Sequence, residues 1–243
     1  MKLRSTLTIL TVVTALTGCQ TMLDSFTIND AQVRQYSAQA CEEYDATSKV
    51  AGPTGQYTKR LNKIARNLGS STENGVPLNY KVYLTKDVNA WAMANGCVRV
   101  YSGLMDRMSD DEVQGVLGHE IGHVALGHSK KAMQTAFAAA LGRAALQAYG
   151  GDAVAQLTSS QLGDLAEGLV NAQFSQSQES EADDFSYNLL KSKNLNTKAL
   201  ATAFDKLSSG SQKNSVMSEM FSSHPDAGKR ADNIRERIAK DGQ

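Results

Sequence analysis

Three of the four histidines in the chain fall within Gly118–His128, which reads GHEIGHVALGH. On an α-helix each residue advances by about 100°, so His119 and His123 lie within about 40° of each other on one face. Their imidazoles can therefore converge on one metal ion. Glu120 lies about 100° from His119 and about 60° from His123, where its carboxylate can reach a water beside the ion. This arrangement predicts a zinc site with a general base.

His128 does not fit the same site on a continuous helix. It follows His123 by five residues, which places it about 140° around the helix. Gly127 could end the helix, but it leaves no room for the looped return by which some zinc peptidases deliver a third histidine. We expect His128 to be a helix-terminal residue, hydrogen-bonded into the core or to the last carbonyls. For His119 and His123 the alternative is a pair of surface histidines without a metal.

Catalytic zinc usually takes three protein ligands and leaves one position for water. The segment QESEADD offers four acidic candidates for the third ligand: Glu179, Glu181, Asp183 and Asp184. The apolar face of the predicted helix lies closer to Glu181. Glu179 and Asp183, however, share a face, so one could bind zinc while the other accepts the free ring N–H of His119. A solvated acidic surface is the alternative for this segment.

HEIGHVALGH, followed about fifty residues later by ESEAD, resembles the HtpX and CAAX-prenyl-protease family of zinc metallopeptidases, family forty-eight of the metallo class. The resemblance implies a zincin-type fold, one Zn²⁺ per chain, and a Glu-x-x-x-Asp pair that supplies the third ligand and its supporting acid. In this sequence the pair is Glu179 and Asp183. The matching pieces extend over about Tyr57–Arg230. Gln176 departs from the family, where many relatives carry arginine, and this departure concerns a local salt bridge rather than the zinc ligands.

The fourth histidine, His224, precedes a proline and belongs to a His-Pro segment that lies near the metal in the family. We expect its imidazole to donate to the oxyanion of the tetrahedral intermediate, or to occupy the open zinc position and hold the enzyme latent. Arg230 would orient this segment or stabilise developing negative charge. Both residues therefore join Glu120 in the predicted catalytic set. A surface position is the alternative for His224.

The segment Asn89–Met93 is predicted to be a strand with an exposed edge near the cleft. Peptide substrates commonly add a strand to such an edge through main-chain hydrogen bonds. We therefore assign Asn89, Ala90 and Trp91 to substrate binding. Trp91 would line a pocket, and packing in the core or against a disulfide is the alternative.

Turn residues and apolar periodicity predict the elements that carry these residues. Helices are expected over Asn29–Lys49, Tyr57–Leu68, Ala132–Tyr149, Leu162–Leu190 and Thr197–Leu207, and in the charged C-terminal segment. A small antiparallel sheet, with a hairpin that turns at Asn95-Gly96, precedes the histidine helix. Ser109 and Glu112 form a capping box that begins this helix. The predicted fold class is α+β, mainly helical, with one metallopeptidase domain over residues 29–243.

Residues 1–18 are predicted to be a signal peptide, because a basic start is followed by the mostly apolar segment Leu7–Leu16. That segment is shorter than the ~20 residues of a membrane-spanning helix. The ending Leu-Thr-Gly-Cys resembles the bacterial lipoprotein signal, in which the cysteine, here Cys19, is acylated and becomes the first mature residue. Gln20 is not the aspartate that typically retains such lipoproteins in the inner membrane. We expect a lipid-anchored protein on the outer membrane, facing the periplasm, with residues 19–28 as a tether.

With Cys19 acylated, Cys41 and Cys97 remain in a compartment that oxidises thiols. They are predicted to form an intrachain disulfide. Two free thiols are the alternative.

The 25 basic and 25 acidic residues cancel, so the chain has no net field with which to attract nucleic acid, and none is expected as a partner. The predicted function is a zinc endopeptidase acting on periplasmic or misfolded outer-membrane proteins, with other envelope proteases or assembly factors as further partners. The alternative is a chaperone-like envelope assembly lipoprotein with a largely latent zinc site, blocked by the Tyr149–Ser160 loop or by His224.

Overall fold

The computed structural model describes residues 28–147, 159–171, 173–211 and 223–242. The helices of this part of the chain are α1 (Asp30–Thr47), α2 (Gln56–Leu68), α3 (Ser102–Arg107), α4 (Asp110–Ala125), α5 (His128–Gln147), α6 (Ser159–Val170), α7 (Gln176–Ser192), α8 (Ala199–Ser211) and α9 (Ala227–Asp241). The strands are β1 (Asn79–Tyr83), β2 (Ala90–Ala92) and β3 (Cys97–Tyr101). The mainly helical α+β class is confirmed. The predicted signal peptide, Cys19 and most of the Tyr149–Ser160 loop lie outside the described residues.

The sheet has the order β1-β3-β2 and is mixed, so the prediction of an antiparallel sheet was wrong for one of its two pairs. β2 and β3 form the predicted antiparallel hairpin, with Ala90 opposite Val100. Gly96 in its turn has φ +81°, and a Cβ there would clash with the carbonyl of Pro77. β1 pairs in parallel with β3. The chain reverses direction between β1 and β2 and again between β2 and β3, so β3 runs parallel to β1 and antiparallel to β2.

Helix α4 lies at the centre of the fold and is buried continuously from Glu112 to Val124. Three of its glycines face neighbouring helices at close range. A Cβ on Gly118 would lie 2.6 Å from Ser186 Oγ of α7, and one on Gly122 would lie 3.2 Å from the Cα of Ala182. Gly115 approaches Leu200 of α8 in the same way. Small residues therefore let α7 and α8 pack directly against the backbone of α4.

The predicted capping box at the start of α4 is present. Ser109 Oγ accepts a hydrogen bond from the Glu112 amide at 3.3 Å, and Glu112 Oε2 accepts one from the Ser109 amide at 2.7 Å. Lys206 of α8 donates to the same Glu112 oxygen at 2.6 Å. At the other end, Gly127 adopts φ +77°, which closes α4 and allows α5 to begin at His128.

The predicted helix Leu162–Leu190 is two helices. α6 ends at Val170, and α7 begins at Gln176 after a second capping box formed by Ser175 and Gln178. Ser175 Oγ accepts from the Gln178 amide at 3.3 Å, and Gln178 Oε1 accepts from the Ser175 amide at 3.0 Å. Apolar periodicity continues across this break, which is why the sequence pattern did not reveal it.

The predicted disulfide between Cys41 and Cys97 is present and joins α1 to β3, with a Cα–Cα distance of 6.5 Å. Beside it, the guanidinium of Arg99 is 1% exposed and makes two hydrogen bonds to Asp45 of α1, at 2.8 and 2.9 Å. Lys81 donates to the same carboxylate at 2.7 Å. Burial opposes ionisation of Asp45, but these hydrogen bonds outweigh it and lower its pKa to about 2. Helix α1 is therefore held to the sheet by both a covalent and an ionic contact.

Among the helices of the described residues, none combines the length and the apolar character needed to cross a membrane.

Asp45→Asn should destabilise the fold by about 3 kcal/mol, because it leaves the buried charge of Arg99 without a compensating carboxylate. Urea unfolding at pH 7 measures this loss, with Glu42→Gln, an exposed position on the same helix, as the matched control. Because the folded pKa of Asp45 is depressed, its contribution is complete above about pH 4 and is lost as pH falls through about 2. The difference between wild type and Asp45→Asn should shrink over that range. A loss equal to that of the control would contradict this account.

Candidate active site

Helix α4 brings the rings of His119 and His123 together one turn apart. Their Nε2 atoms lie 3.0 Å from each other, and both side chains are fully buried. Burial lowers the pKa of both imidazoles, which keeps them neutral and leaves a lone pair on the nitrogen that faces the site. The pair therefore has the protonation state that a metal ligand requires.

Glu179 of α7 and His224, which lies just before α9, complete a buried group of four possible ligands. One possible ligand atom from each residue lies within 4.8 Å of all the others, and we call His119, His123, Glu179 and His224 the donor group. Glu179 Oε2 is 3.5 Å from His119 Nε2, and its Oε1 is 3.4 Å from His123 Nε2. His224 Nδ1 is 3.3 Å from His119 Nε2 and 3.0 Å from Glu179 Oε1.

These separations fit a tetrahedral zinc site. Ligand atoms at the usual zinc distances of about 2.0–2.1 Å lie about 3.3–3.4 Å apart at the corners of a tetrahedron. Imidazole nitrogen and carboxylate oxygen are both ordinary zinc ligands. The donor set of His119, His123, Glu179 and His224 therefore suits Zn²⁺ in both chemistry and spacing.

Asp183, one turn beyond Glu179 on α7, fixes the orientation of His119. Its Oδ1 accepts from His119 Nδ1 at 2.9 Å, so the hydrogen of this imidazole is on Nδ1 and the Nε2 lone pair faces the donor group. Arg230 of α9 donates to both oxygens of Asp183, at 2.8 and 2.6 Å. Burial opposes the ionised form of Asp183, yet these two partners lower its pKa.

Arg230 is buried between two carboxylates. Its guanidinium also forms an ion pair with Glu179 and lies 4.2 Å over the ring of Phe204. Burial opposes the charge of Arg230, but the carboxylates of Asp183 and Glu179 outweigh it and raise the pKa of the guanidinium. Of the two roles expected for Arg230, orientation of the surrounding groups matches these contacts. Nearby, the Gln176 side-chain amide donates to Asp226 Oδ2 at 3.2 Å, so a hydrogen bond rather than a salt bridge joins α7 to the segment after His224.

Glu120 is 2% exposed, and among the described residues its Oε1 has no hydrogen-bond partner. Burial raises the pKa of Glu120 to about 7. Its Oε1 lies 3.6 Å from His224 Nε2. Buried carboxylate oxygens are normally hydrogen-bonded, so an unpartnered one beside a ligand group points to an interaction with water or substrate.

Phe174 is a residue of the site that sequence reasoning placed only in the apolar face of a helix. Its ring stacks on the imidazole of His123, with centroids 3.8 Å apart and planes 19° apart. It also lies 5.7 Å from the ring of His224. Phe174 directly precedes the Ser175 cap, and an apolar residue next to such a cap is the signal that could have identified it.

His128 lies outside the group of four donors but contacts one of them. Its Nδ1 is 3.0 Å from His123 Nδ1, and its ring is buried. The sequence led us to expect a bond into the core or to helix carbonyls. The core contact is confirmed: because Gly127 ends α4, the chain turns back, and the buried ring of His128 contacts the outer nitrogen of His123 at the start of α5.

Of the residues predicted to bind substrate, Ala90 and Trp91 lie on strand β2, at one edge of the sheet, and Asn89 directly precedes this strand. The pairing of β2 with β3 directs the main-chain groups of Ala90 and Ala92 outward. Asn89 Oδ1 accepts from the Ala90 amide at 2.9 Å, and Ser129 Oγ donates to the Ala92 carbonyl at 3.0 Å. An added strand would have to displace these two bonds.

Trp91 is 5% exposed and packs with Cys41 and Cys97 of the disulfide. The ring of Tyr44 lies 5.5 Å from it, and that of Tyr83 lies 6.1 Å from it. Trp91 therefore packs in the core against the disulfide, as the alternative interpretation predicted, and within the described residues it does not line an open pocket.

Comparison with known proteins agrees with this geometry. Residues 53–238 match the model of Peptidase family M48. The chain is 49% identical to the metalloprotease LoiP of Escherichia coli K12 over 100% of this chain and 99% of LoiP. It is 53% identical to the metalloprotease YcaL of the same organism, over 88% of this chain and 82% of YcaL. It is 26% identical to the E. coli beta-barrel assembly-enhancing protease, over 76% of this chain but 41% of that protein.

Proposed function

Because this chain belongs to peptidase family M48 and is a metalloprotease, we propose that it is a zinc endopeptidase of the bacterial envelope. The observation that carries the proposal is the buried donor group beside the unpartnered carboxylate of Glu120. In the proposed enzyme His119, His123 and Glu179 hold one Zn²⁺. When bound there, the ion would polarise the scissile carbonyl and lower the pKa of water.

Glu120 is the general base of the proposed reaction. It takes a proton from the attacking water and passes the proton to the leaving amine. The buried position of Glu120 and its unpartnered Oε1 leave the carboxylate available for both transfers. Asp183 and Arg230 keep His119 and Glu179 in place throughout the reaction. The β2 edge, with Asn89 and Ala90, is the proposed main-chain binding site for the peptide.

Glu120→Gln should retain zinc but lose about 10²- to 10⁴-fold of the casein-cleavage rate, because the amide cannot accept a proton. The measurement is kcat/KM on casein and on an unfolded outer-membrane protein, with zinc content determined for each sample. Asp111→Asn, an exposed acid on the same helix, is the matched control and should cleave at the wild-type rate. Equal cleavage by Glu120→Gln would remove Glu120 from the mechanism.

One observation supports the alternative function, a chaperone-like lipoprotein with a largely latent zinc site. His224 Nδ1 occupies the fourth donor position, and the Phe174 ring lies over His123, so both cover the place where the attacking water and the peptide carbonyl must enter. We take this arrangement as the resting form of a peptidase. If wild type and Glu120→Gln contain equal zinc and are equally inactive, the alternative is favoured instead.

His224→Ala should bind zinc several-fold more weakly and cleave casein several-fold faster, because one donor is lost and the fourth position is opened. Zinc affinity by chelator competition and initial cleavage rates measure the two effects separately. A slower rate at unchanged zinc affinity would instead support the oxyanion role of His224. If neither quantity changes, His224 has no part in the site.

We also propose that Cys19 is lipidated and holds the protein on the outer membrane, where its substrates are misfolded envelope proteins. The proposal rests on the Leu-Thr-Gly-Cys ending and on Gln20. Support for envelope substrates and assembly partners comes from the similarity to a protein named for enhancing beta-barrel assembly. Nucleic acid is not among the proposed partners.

Cys19→Ala should remove the protein from outer-membrane fractions, because the acylated side chain is absent. Gln20→Asp should move it to the inner membrane and serves as the matched variant, since acylation is retained. Density-gradient fractionation and immunoblotting distinguish the three locations. Wild-type protein in the soluble periplasmic fraction would contradict the anchor.

A further inference from the structure

His123 is held from outside the donor group by His128. The two Nδ1 atoms lie 3.0 Å apart, and the ring centroids are 5.1 Å apart with planes inclined by 62°. Since His123 Nε2 is the nitrogen that faces Glu179 and His119, its Nδ1 is the nitrogen that contacts His128. The contact therefore concerns the nitrogen that a metal would leave unused.

The second nitrogen of His128 contacts a carboxylate. His128 Nε2 is 3.1 Å from Glu181 Oε2, and Glu181 Oε1 accepts from Ser177 Oγ at 2.9 Å. The His128 ring is 7% exposed, whereas the Glu181 side chain is 55% exposed. A buried imidazole thus connects a ligand of the site to an acid at the protein surface.

In the proposed zinc-bound site, the direction of each hydrogen in this chain of contacts is fixed by its two ends. The Glu181 carboxylate accepts from His128 Nε2–H, and the His123 nitrogen that faces the donor group carries no hydrogen. His128 Nδ1 is then an acceptor, and it accepts from His123 Nδ1–H. His123 is left with its lone pair on Nε2, directed into the donor group.

We propose that His128 and Glu181 are positioning residues that hold His123 in the tautomer and orientation required of a metal ligand. The inference rests on the proposed zinc site. It gives His123 the kind of support that Asp183 gives to His119, where a carboxylate accepts directly from the outer nitrogen at 2.9 Å. His123 is also stacked on Phe174, so its ring is fixed by a face contact and an edge contact together.

The inference assigns a role to each of three acids on α7. Glu179 faces the donor group, Asp183 accepts from His119, and Glu181 accepts from the histidine that accepts from His123. In the sequence Glu181 lay closer to the apolar face of the helix, but it had Phe185 rather than a polar partner at the matching position. Its partner comes from α5, across the break at Gly127.

The test measures Zn²⁺ affinity of the full chain by chelator competition, without any cleavage assay. His128→Phe keeps an aromatic ring but offers no acceptor, and it should weaken Zn²⁺ binding about 10- to 100-fold. Glu181→Ala should weaken it about three- to tenfold, a smaller loss because solvent screens an exposed charge. Asp184→Ala, an exposed acid three residues further on α7, is the matched control and should leave affinity unchanged.

Two further variants separate positioning from a general structural role. His128→Gln retains one acceptor and one donor and should recover part of the affinity lost in His128→Phe. In the double variant His128→Phe/Glu181→Ala, removal of Glu181 should cause no further loss, because its effect passes through His128. The melting temperatures of the metal-free proteins should agree within about 2 °C.

Independent losses in the double variant, or affinity within twofold of wild type in both single variants, would overturn the proposal. If His128→Phe fails to fold, Glu181→Ala against Asp184→Ala decides the matter, since both positions are exposed. The proposed peptidase can fail separately. A wild-type protein that binds Zn²⁺ tightly but cleaves nothing would contradict the proposed function and leave the role of His128 intact.

Discussion

The donor group depends on how closely α7 approaches α4. Ser186 Oγ of α7 donates to the main-chain carbonyl of Gly115 at 2.8 Å. A Cβ on Gly118 would lie 2.6 Å from this same Ser186 Oγ. Any larger residue at Gly118 would force the two helices apart. The ligand atoms of His119 and Glu179 are separated by 3.5 Å, so a shift of about 1 Å would exceed what a zinc site tolerates. The glycines on one face of α4 thus set the distance between the ligand atoms on α4 and those on α7.

Close packing also buries charge, which ion pairs and hydrogen bonds between the buried groups compensate, although Glu120 Oε1 has no hydrogen-bond partner among the described residues. The positive charge of Arg230 lies between the carboxylates of Glu179 and Asp183, so burial does not leave it uncompensated. Each ligand histidine has one nitrogen toward the donor group and the other engaged outside it. For His119 the outside partner is Asp183, and for His123 it is His128. A network satisfied in this way specifies one arrangement of the imidazoles, because any rotation would leave a buried polar atom without its partner.

Helical periodicity accounts for most of the site residues that the sequence predicted, and the family resemblance added His224 and Arg230 and selected Glu179 as the ligand. His119, Glu120 and His123 follow from one helix, and Glu179 with Asp183 follows from another once their shared face is recognised. The contact of His128 with His123 was not predictable in this way, because it depends on the positive φ of Gly127 and on the return of α5. The parallel pairing of β1 with β3 likewise depends on which strand lies in the middle of the sheet. The stacking of Phe174 depends on a helix break that apolar periodicity does not reveal.

The same geometry that would hold a metal ion with four ligands also closes the site. Four donors leave no position for water, whereas Glu120 can act as a base only if a water lies between it and the carbonyl under attack. His119, His123 and Glu179 are on two helices locked together by glycine packing, so none of them can withdraw without opening the core. Phe174 and His224, by contrast, lie just outside helix starts, at Gln176 and Ala227. The two residues that cover the site therefore lie outside the helices that carry His119, Glu120, His123 and Glu179, so admitting a peptide does not require those helices to separate.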